Sequence, residues 1–211
     1  AWTLHVLRKR SVDVVGLLTT LSQDRGRVSM HGVREELLDA QAAAAGLPLH
    51  KVYLPTPCSS EDYARLMAEA LARARTDGVT EVAFGDLFLE DIRAYREAKL
   101  EGTGLGASFP LWGLETSSLA REMIGTGLVA HVTSVDPKQL DPSFAGRTYD
   151  AAFLDDLPDG VDPCGERGEL HTFAYAGPMF EAPIPIVPGE VVERDGFVHA
   201  DLRLGPGLLA P

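Results

Sequence analysis

Nine consecutive positions, Cys164 to Thr172, hold a thiol, two carboxylates (Glu166 and Glu169), an imidazole (His171) and a hydroxyl (Thr172). Gly165 and Gly168 punctuate the run and let the backbone turn close to a ligand. The segment then becomes strand-like, which sets Glu169 and His171 on one face and Leu170 and Thr172 on the other. Such a loop-to-strand cluster reads as a site rather than a core. The same residue types also suit a surface turn that leads into a strand and carries solvated glutamates.

Further candidates lie in the first half of the chain. Ser29-Met30-His31-Gly32 immediately precedes a helix predicted from Val33. Free N–H groups at a helix start suit an anion such as phosphate, and His31 could donate to it; a histidine that caps or packs locally is the plainer alternative. Thr19, Thr20, Gly85, Asp86 and the residues after Trp112 fall at the predicted carboxyl ends of strands, where open α/β sheets bind ligands. Ordinary loop polarity would account for the same residues. Gly102-Thr103-Gly104-Leu105-Gly106-Ala107 fits G-x-G-x-x-A but follows a helix, which is the wrong context for a dinucleotide fingerprint. Cys164, Glu169 and His171, with His31, lack the paired spacing and the four ligands that zinc normally requires, so no metal site is expected.

The elements that must position these groups alternate. Trp2 to Arg10 reads as the end of a helix. Val14 to Thr20, Leu49 to Leu54, Val82 to Phe84, the region of Phe109 to Trp112, and Leu128 to Val135 read as strands. Helices are predicted over Val33 to Ala45, from Ser59 to Gly78, over Leu89 to Lys99 and over Thr116 to Ile124. This alternation predicts an α/β class with a mostly parallel sheet. From Asp136 the texture changes: proline and glycine become frequent, and only Tyr149 to Leu157 reads as helix. Asp195-Gly196 between alternating apolar runs predicts a hairpin over Glu190 to Leu204. The division expected is a nucleotide-binding domain over 1–135 and a β-rich substrate-side subdomain over 136–211.

Composition narrows the classes. The chain has 211 residues, 45% of them hydrophobic, and a formal net charge of −12. That charge repels a phosphate backbone, and no Lys/Arg run offsets it, so a nucleic-acid partner is not expected. No apolar run approaches the roughly 20 residues that span a bilayer, and no signal peptide is visible. Two cysteines, Cys58 and Cys164, make no disulfide framework, which fits a reducing cytoplasm.

Five blocks then assemble in order: Val14 to Thr20, Ser29 to Leu38, Gly85 to Arg93, Pro110-Leu111-Trp112 and Gly165 to Phe173. Together they resemble the diphthine–ammonia ligase family, in particular its bacterial adenine nucleotide alpha hydrolase branch, over Ala1 to about Pro188. The resemblance implies a HUP-type, PP-loop ATP pyrophosphatase fold. It implies an amidoligase that binds ATP with Mg²⁺, adenylates a carboxylate, releases pyrophosphate, and lets ammonia displace AMP. Thr19, Thr20, Ser29, Met30, His31, Gly85 and Asp86 would form the nucleotide side. Glu166, Glu169 and His171 would be catalytic, and Glu97, Trp112, Cys164, Gly165 and Thr172 would contact the acceptor, a small molecule or a protein side chain. A homodimer is compatible with it. The family begins with a strand and a Ser-Gly-Gly-Lys-Asp-Ser loop that do not occur in this sequence, and they are expected just upstream of Ala1. Without them the alternative is an adenine-nucleotide-binding module that does not turn over. A tRNA-modifying enzyme of the same superfamily is a third reading, which the acidic charge opposes.

Overall fold

The computed structural model describes residues 1–28 and 31–207. Helix α1 (Trp2–Lys9) buries Trp2, Leu4 and Leu7. Strand β1 (Leu17–Ser22) is followed by the short β2 (Arg27–Val28), which folds back antiparallel on its end. Helix α2 (Glu35–Ala44) then leads to β3 (Leu49–Leu54), which pairs parallel with β1 from Leu17↔Leu49 to Ser22↔Leu54. Helix α3 (Ser60–Thr76) starts where Ser59 accepts a hydrogen bond from the Asp62 N–H at 3.0 Å, the N-cap expected from Ser59 and its acidic first turn. Strands β4 (Glu81–Ala83) and β5 (Gly106–Ser108) form a second parallel pair, linked through α4 (Glu90–Leu100). The two parallel pairs belong to separate sheets.

The strand expected at Leu128 to Val135 belongs elsewhere. After α5 (Thr116–Gly125), β6 (Val129–Val135) becomes the centre of an antiparallel sheet. It pairs along one edge with β8 (Leu170–Ala176) and on the other with β7 (Thr148–Tyr149) and β10 (Phe197–Leu204). The expectation of one mostly parallel sheet is corrected on this point. A strand buried on both faces reads as a continuous apolar run whichever way its neighbours run, so sequence pattern does not give its direction. Helix α6 (Ala151–Asp156) follows β7, and β9 (Ile186–Arg194) completes the sheet beside β10. Their connection is the expected Asp195-Gly196 turn, both residues at positive φ, as a two-residue hairpin of this type requires.

The main core packs Trp2 and Leu4 of α1 and Leu119 and Ala120 of α5 against Ala130, Val132 and Val135 of β6 and Leu170 of β8. A second cluster joins Val33, Leu37 and Ala40 near α2 to Phe173, Ile184 and Leu202. Polar ties reinforce both contacts. Arg8 donates to the Met179 and Ala45 carbonyls. Asp201 lies at a register irregularity of β10 between Ala200 and Leu202, and bulges of this kind re-aim a side chain. Its carboxylate receives Arg27 Nη1 at 2.8 Å, Arg34 Nε at 3.0 Å and Arg34 Nη2 at 2.7 Å. Arg27 also donates to the Gly32 carbonyl at 2.6 Å, so one carboxylate fixes the segment before α2 onto the C-terminal sheet.

Breaking that clamp should be measurable. Asp201→Asn leaves two guanidinium groups facing a neutral amide in a partly buried setting. The expected loss is about 1–3 kcal/mol in urea unfolding; a change below about 0.5 kcal/mol would show that the clamp is solvated and dispensable.

Candidate functional site

The loop from Asp162 to Glu169 is built around two buried carboxylates. Asp162 Oδ2 accepts the Glu166 N–H at 2.8 Å, and its Oδ1 the Cys164 N–H at 3.4 Å. Glu169 is 2% exposed. Its Oε1 accepts the Asp162 N–H and its Oε2 the Arg167 N–H, each at 3.0 Å. Gly165 sits at φ +68°, where a Cβ would fall 2.5 Å from the Leu170 carbonyl oxygen, so no larger residue fits this turn. Glu169 is therefore neither a solvated edge residue nor a carboxylate open to a substrate.

Glu166 is presented outward by this loop and reaches the other half of the chain. Its Oε1 accepts the Leu87 N–H at 2.7 Å and the Phe88 N–H at 3.5 Å. Burial, opposed by these hydrogen bonds, raises its pKa, and Asp86 and Asp162 add to the rise. Arg167 lies over the Phe88 ring at 5.1 Å, a second contact between the same two loops. Asp86 is held by Arg96 through bonds of 2.6 and 3.1 Å, and Gly85 packs near the Thr3 hydroxyl.

The histidines meet in a second place. His31 and His171 stack with ring centroids 4.1 Å apart and planes tilted by 32°. In the sheet, Ser134 of β6 pairs with His171 of β8 and with His199 of β10, so the three side chains form a row on one face. Leu170 and Val135, one position away, join the main core instead, and alternation turns Thr172 to their side. Burial pushes His171 down to about 3, with repulsion from His31 and His199 adding to it. Burial also lowers His199. His31 keeps a solvent-exposed edge while protein crowds its other side, and its pKa falls as well.

The remaining candidates are dispersed. Thr19 and Thr20 lie in mid-strand, because β1 continues to Ser22; the apolar run ended at Thr20, and Leu21 and Ser22 extend the pairing beyond it. Ser29 and Met30 lie outside the described residues. Glu97 and Trp112 converge on Arg93, which bonds Glu97 at 2.9 Å and lies over the Trp112 ring at 4.8 Å. Cys164 Sγ lies 3.5 Å from the Thr116 carbonyl oxygen, and burial first, then Asp162 and Glu166, push the thiol up to about 12. Cys58 is exposed. Among the described residues no three His, Cys, Asp or Glu side chains are arranged to hold a metal ion, and no helix is long and apolar enough to cross a membrane. A concavity of about 520 Å³ lined by His131, Thr148, Tyr175, Pro183 to Ile186 and Pro188 contains none of the candidates. Arg27, Ser134, His199 and Asp201 were missed, because single polar residues in strands carry no local signal until pairing brings them together.

Residues 115–201 match the family model of the diphthamide synthase C-terminal domain. This span holds β6, β8, the first part of β10 as far as Asp201, and the whole Asp162–Glu169 loop. The diphthine–ammonia ligase of Homo sapiens is 28% identical over 177 residues, covering 76% of this chain and 66% of its own length. That of Danio rerio is 29% identical over 196 residues, covering 82% of this chain and 72% of its own. The chain is thus similar to diphthine–ammonia ligases, and its residues 115–201 to the diphthamide synthase C-terminal domain. It spans about two thirds of the length of these curated relatives.

Two outcomes test the site's construction. Glu169→Gln replaces one acceptor oxygen by an NH₂ group that faces a backbone N–H. We expect a loss of about 1–3 kcal/mol in urea unfolding, with greater protease susceptibility near residue 165; unchanged stability would refute the buried-carboxylate assignment. The histidines set a pH dependence. Their folded pKa values lie below the unfolded value of about 6.5, so the native state binds fewer protons. The stability they contribute is present above that value and is lost as pH falls through it toward 3. Urea midpoints should therefore fall from pH 7.5 to 5, and the slope should flatten in His171→Asn; a flat wild-type profile contradicts this.

Proposed function

We propose that this chain is an ATP-dependent amidoligase that adenylates a carboxylate and amidates it with ammonia. One observation carries the reading: Glu166 ties the Gly85–Phe88 turn of the first half to the loop matched by the diphthamide synthase C-terminal domain model. A reaction with a nucleotide and an acceptor needs such a junction, since both substrates must meet at one phosphorus atom. The likeness to diphthine–ammonia ligases supports the same chemistry.

In the first step an acceptor carboxylate oxygen attacks the α-phosphorus and pyrophosphate leaves. In the second, ammonia attacks the acyl carbon, AMP leaves, and the nitrogen loses a proton. With both Glu169 oxygens engaged by N–H groups, its role is to position the loop. His171 takes over as the candidate proton acceptor, since its imidazole is neutral in the free protein and touches His31. The division into a nucleotide side with His31 and an acceptor side with His171 gives way to a shared boundary at their stacked rings. Mg²⁺ would enter with the nucleotide phosphates: Asp86, bound by Arg96, and Glu166, bound by two N–H groups, do not make a resident metal site.

The engagement of Glu166, Glu169 and Asp86 by protein partners also favours a second reading, an adenine-nucleotide-binding module without turnover. Pyrophosphate release separates the two. With ATP, Mg²⁺ and ammonium, the full-length protein should release pyrophosphate faster when a suitable carboxylate is added, and His171→Asn should lower that stimulated rate by ~10²-fold or more. ATP binding by calorimetry with no stimulated release across small and protein-borne carboxylates would establish the second reading.

A further inference from the structure

The His171–Ser134–His199 row leaves three polar atoms without partners. His171 Nε2, His199 Nδ1 and Ser134 Oγ are buried and make no hydrogen bond among the described residues. Ser134 is fully buried and His199 is 9% exposed. An unsatisfied buried polar atom costs about 1–3 kcal/mol, and native proteins keep few of them except where a ligand completes the set. Here three sit side by side on adjacent strands.

The row lies just beneath the surface. His31 is exposed, Gly32 and His171 are half-buried, and Ser134 and His199 lie deepest. At Gly32, φ is +69° and a Cβ would come within 2.8 Å of His199 Nδ1, so this glycine packs directly on the buried nitrogen, and a ligand reaches it only where Gly32 moves aside. The surroundings favour negative charge. Arg27 from the segment before α2, although it is paired with Asp201, and Arg194 from the hairpin act on His199, opposed by Asp195, and His31 and His199 act on His171. A metal is disfavoured, since no three ligands converge among the described residues.

We propose that His171, Ser134 and His199, with His31 over them, form an oxyanion subsite that takes a phosphoryl or carboxylate group together with a proton from solvent. This rests on the amidoligase reading for its place in a reaction, but not for its binding chemistry. Burial and mutual repulsion keep the imidazoles neutral while the subsite is empty. An entering anion reverses the balance: one imidazole gains a proton, its N–H donates to the anion, and the Ser134 hydroxyl donates beside it. Charge and protons balance with solvent as the only proton source. A leaving pyrophosphate would be held in this way, and so would an acceptor carboxylate, and release would return the proton.

Calorimetric titration at pH 7.5 in buffers of different ionisation enthalpy tests this with three probes: inorganic phosphate, magnesium-free pyrophosphate and acetate. The expected result is uptake of about one proton per anion bound, with ring carbon shifts of His171 and His199 moving toward imidazolium in NMR spectra. Uptake with the phosphates alone assigns a phosphoryl subsite, and uptake with acetate alone a carboxylate subsite. His199→Asn, which keeps a polar group but cannot titrate, should weaken binding about tenfold and lower the uptake. Anion binding without proton uptake, no binding of any probe, or uptake unchanged in His199→Asn overturns the proposal; the wild-type NMR titration decides if that variant does not fold. Acceptor-stimulated pyrophosphate release without anion-linked protonation removes the subsite and spares the ligase reading. Anion-linked protonation without turnover does the reverse.

Discussion

The arrangement at the site depends on a carboxylate that meets no solvent. Glu169 sits 2% exposed beneath the loop it organises and holds the Asp162 and Arg167 N–H groups. A buried charge is tolerated only when its lone pairs are occupied, and the loop's own backbone supplies that occupancy. The loop cannot move away without stranding the charge, and the charge cannot be moved without unfolding the loop. Glu166 inherits its direction from this arrangement, because its own N–H is held by Asp162.

Two carboxylate contacts help to unite halves of the chain that pair their strands separately. Glu166 on the Leu87 and Phe88 N–H groups is one. The other is Asp201 between Arg27 and Arg34, which brings Gly32 and His31 over β8 and β10. Both use a carboxylate from the C-terminal part and donors from the N-terminal part. The parallel pairs β1/β3 and β4/β5 supply no hydrogen-bonded ladder to the antiparallel sheet, so these side-chain ties, with the apolar packing of α1 and α5, set how the two surfaces face each other.

Much of this was legible in the sequence, and the rest was not for definable reasons. Helix starts such as Ser59, turns such as Asp195-Gly196 and the strand at Leu49–Leu54 follow from local chemistry, and local chemistry is what a sequence displays. The chemical richness of Cys164 to Thr172 was also visible. Its internal division was not: alternation placed Glu169 beside His171, whereas the turn at Gly165 draws the glutamate under the loop and leaves the histidine on the sheet. The direction of β6 was hidden by its uniform burial. His199 and Ser134 became neighbours of His171 only through pairing across distant strands, a relation no local spacing encodes.

The two thiols end in opposite circumstances. Cys164 is half-buried against the Thr116 carbonyl with its thiol pushed up to about 12, and thiolate is the species that reacts with oxidants and alkylating reagents. Cys58 is exposed at the start of α3. Of the two cysteines in this sequence, Cys58 is addressable at the surface and Cys164 is largely shielded in the candidate site. A maleimide dye would attach at a single known point, and a fluorescent reporter of the folded chain needs no engineered cysteine.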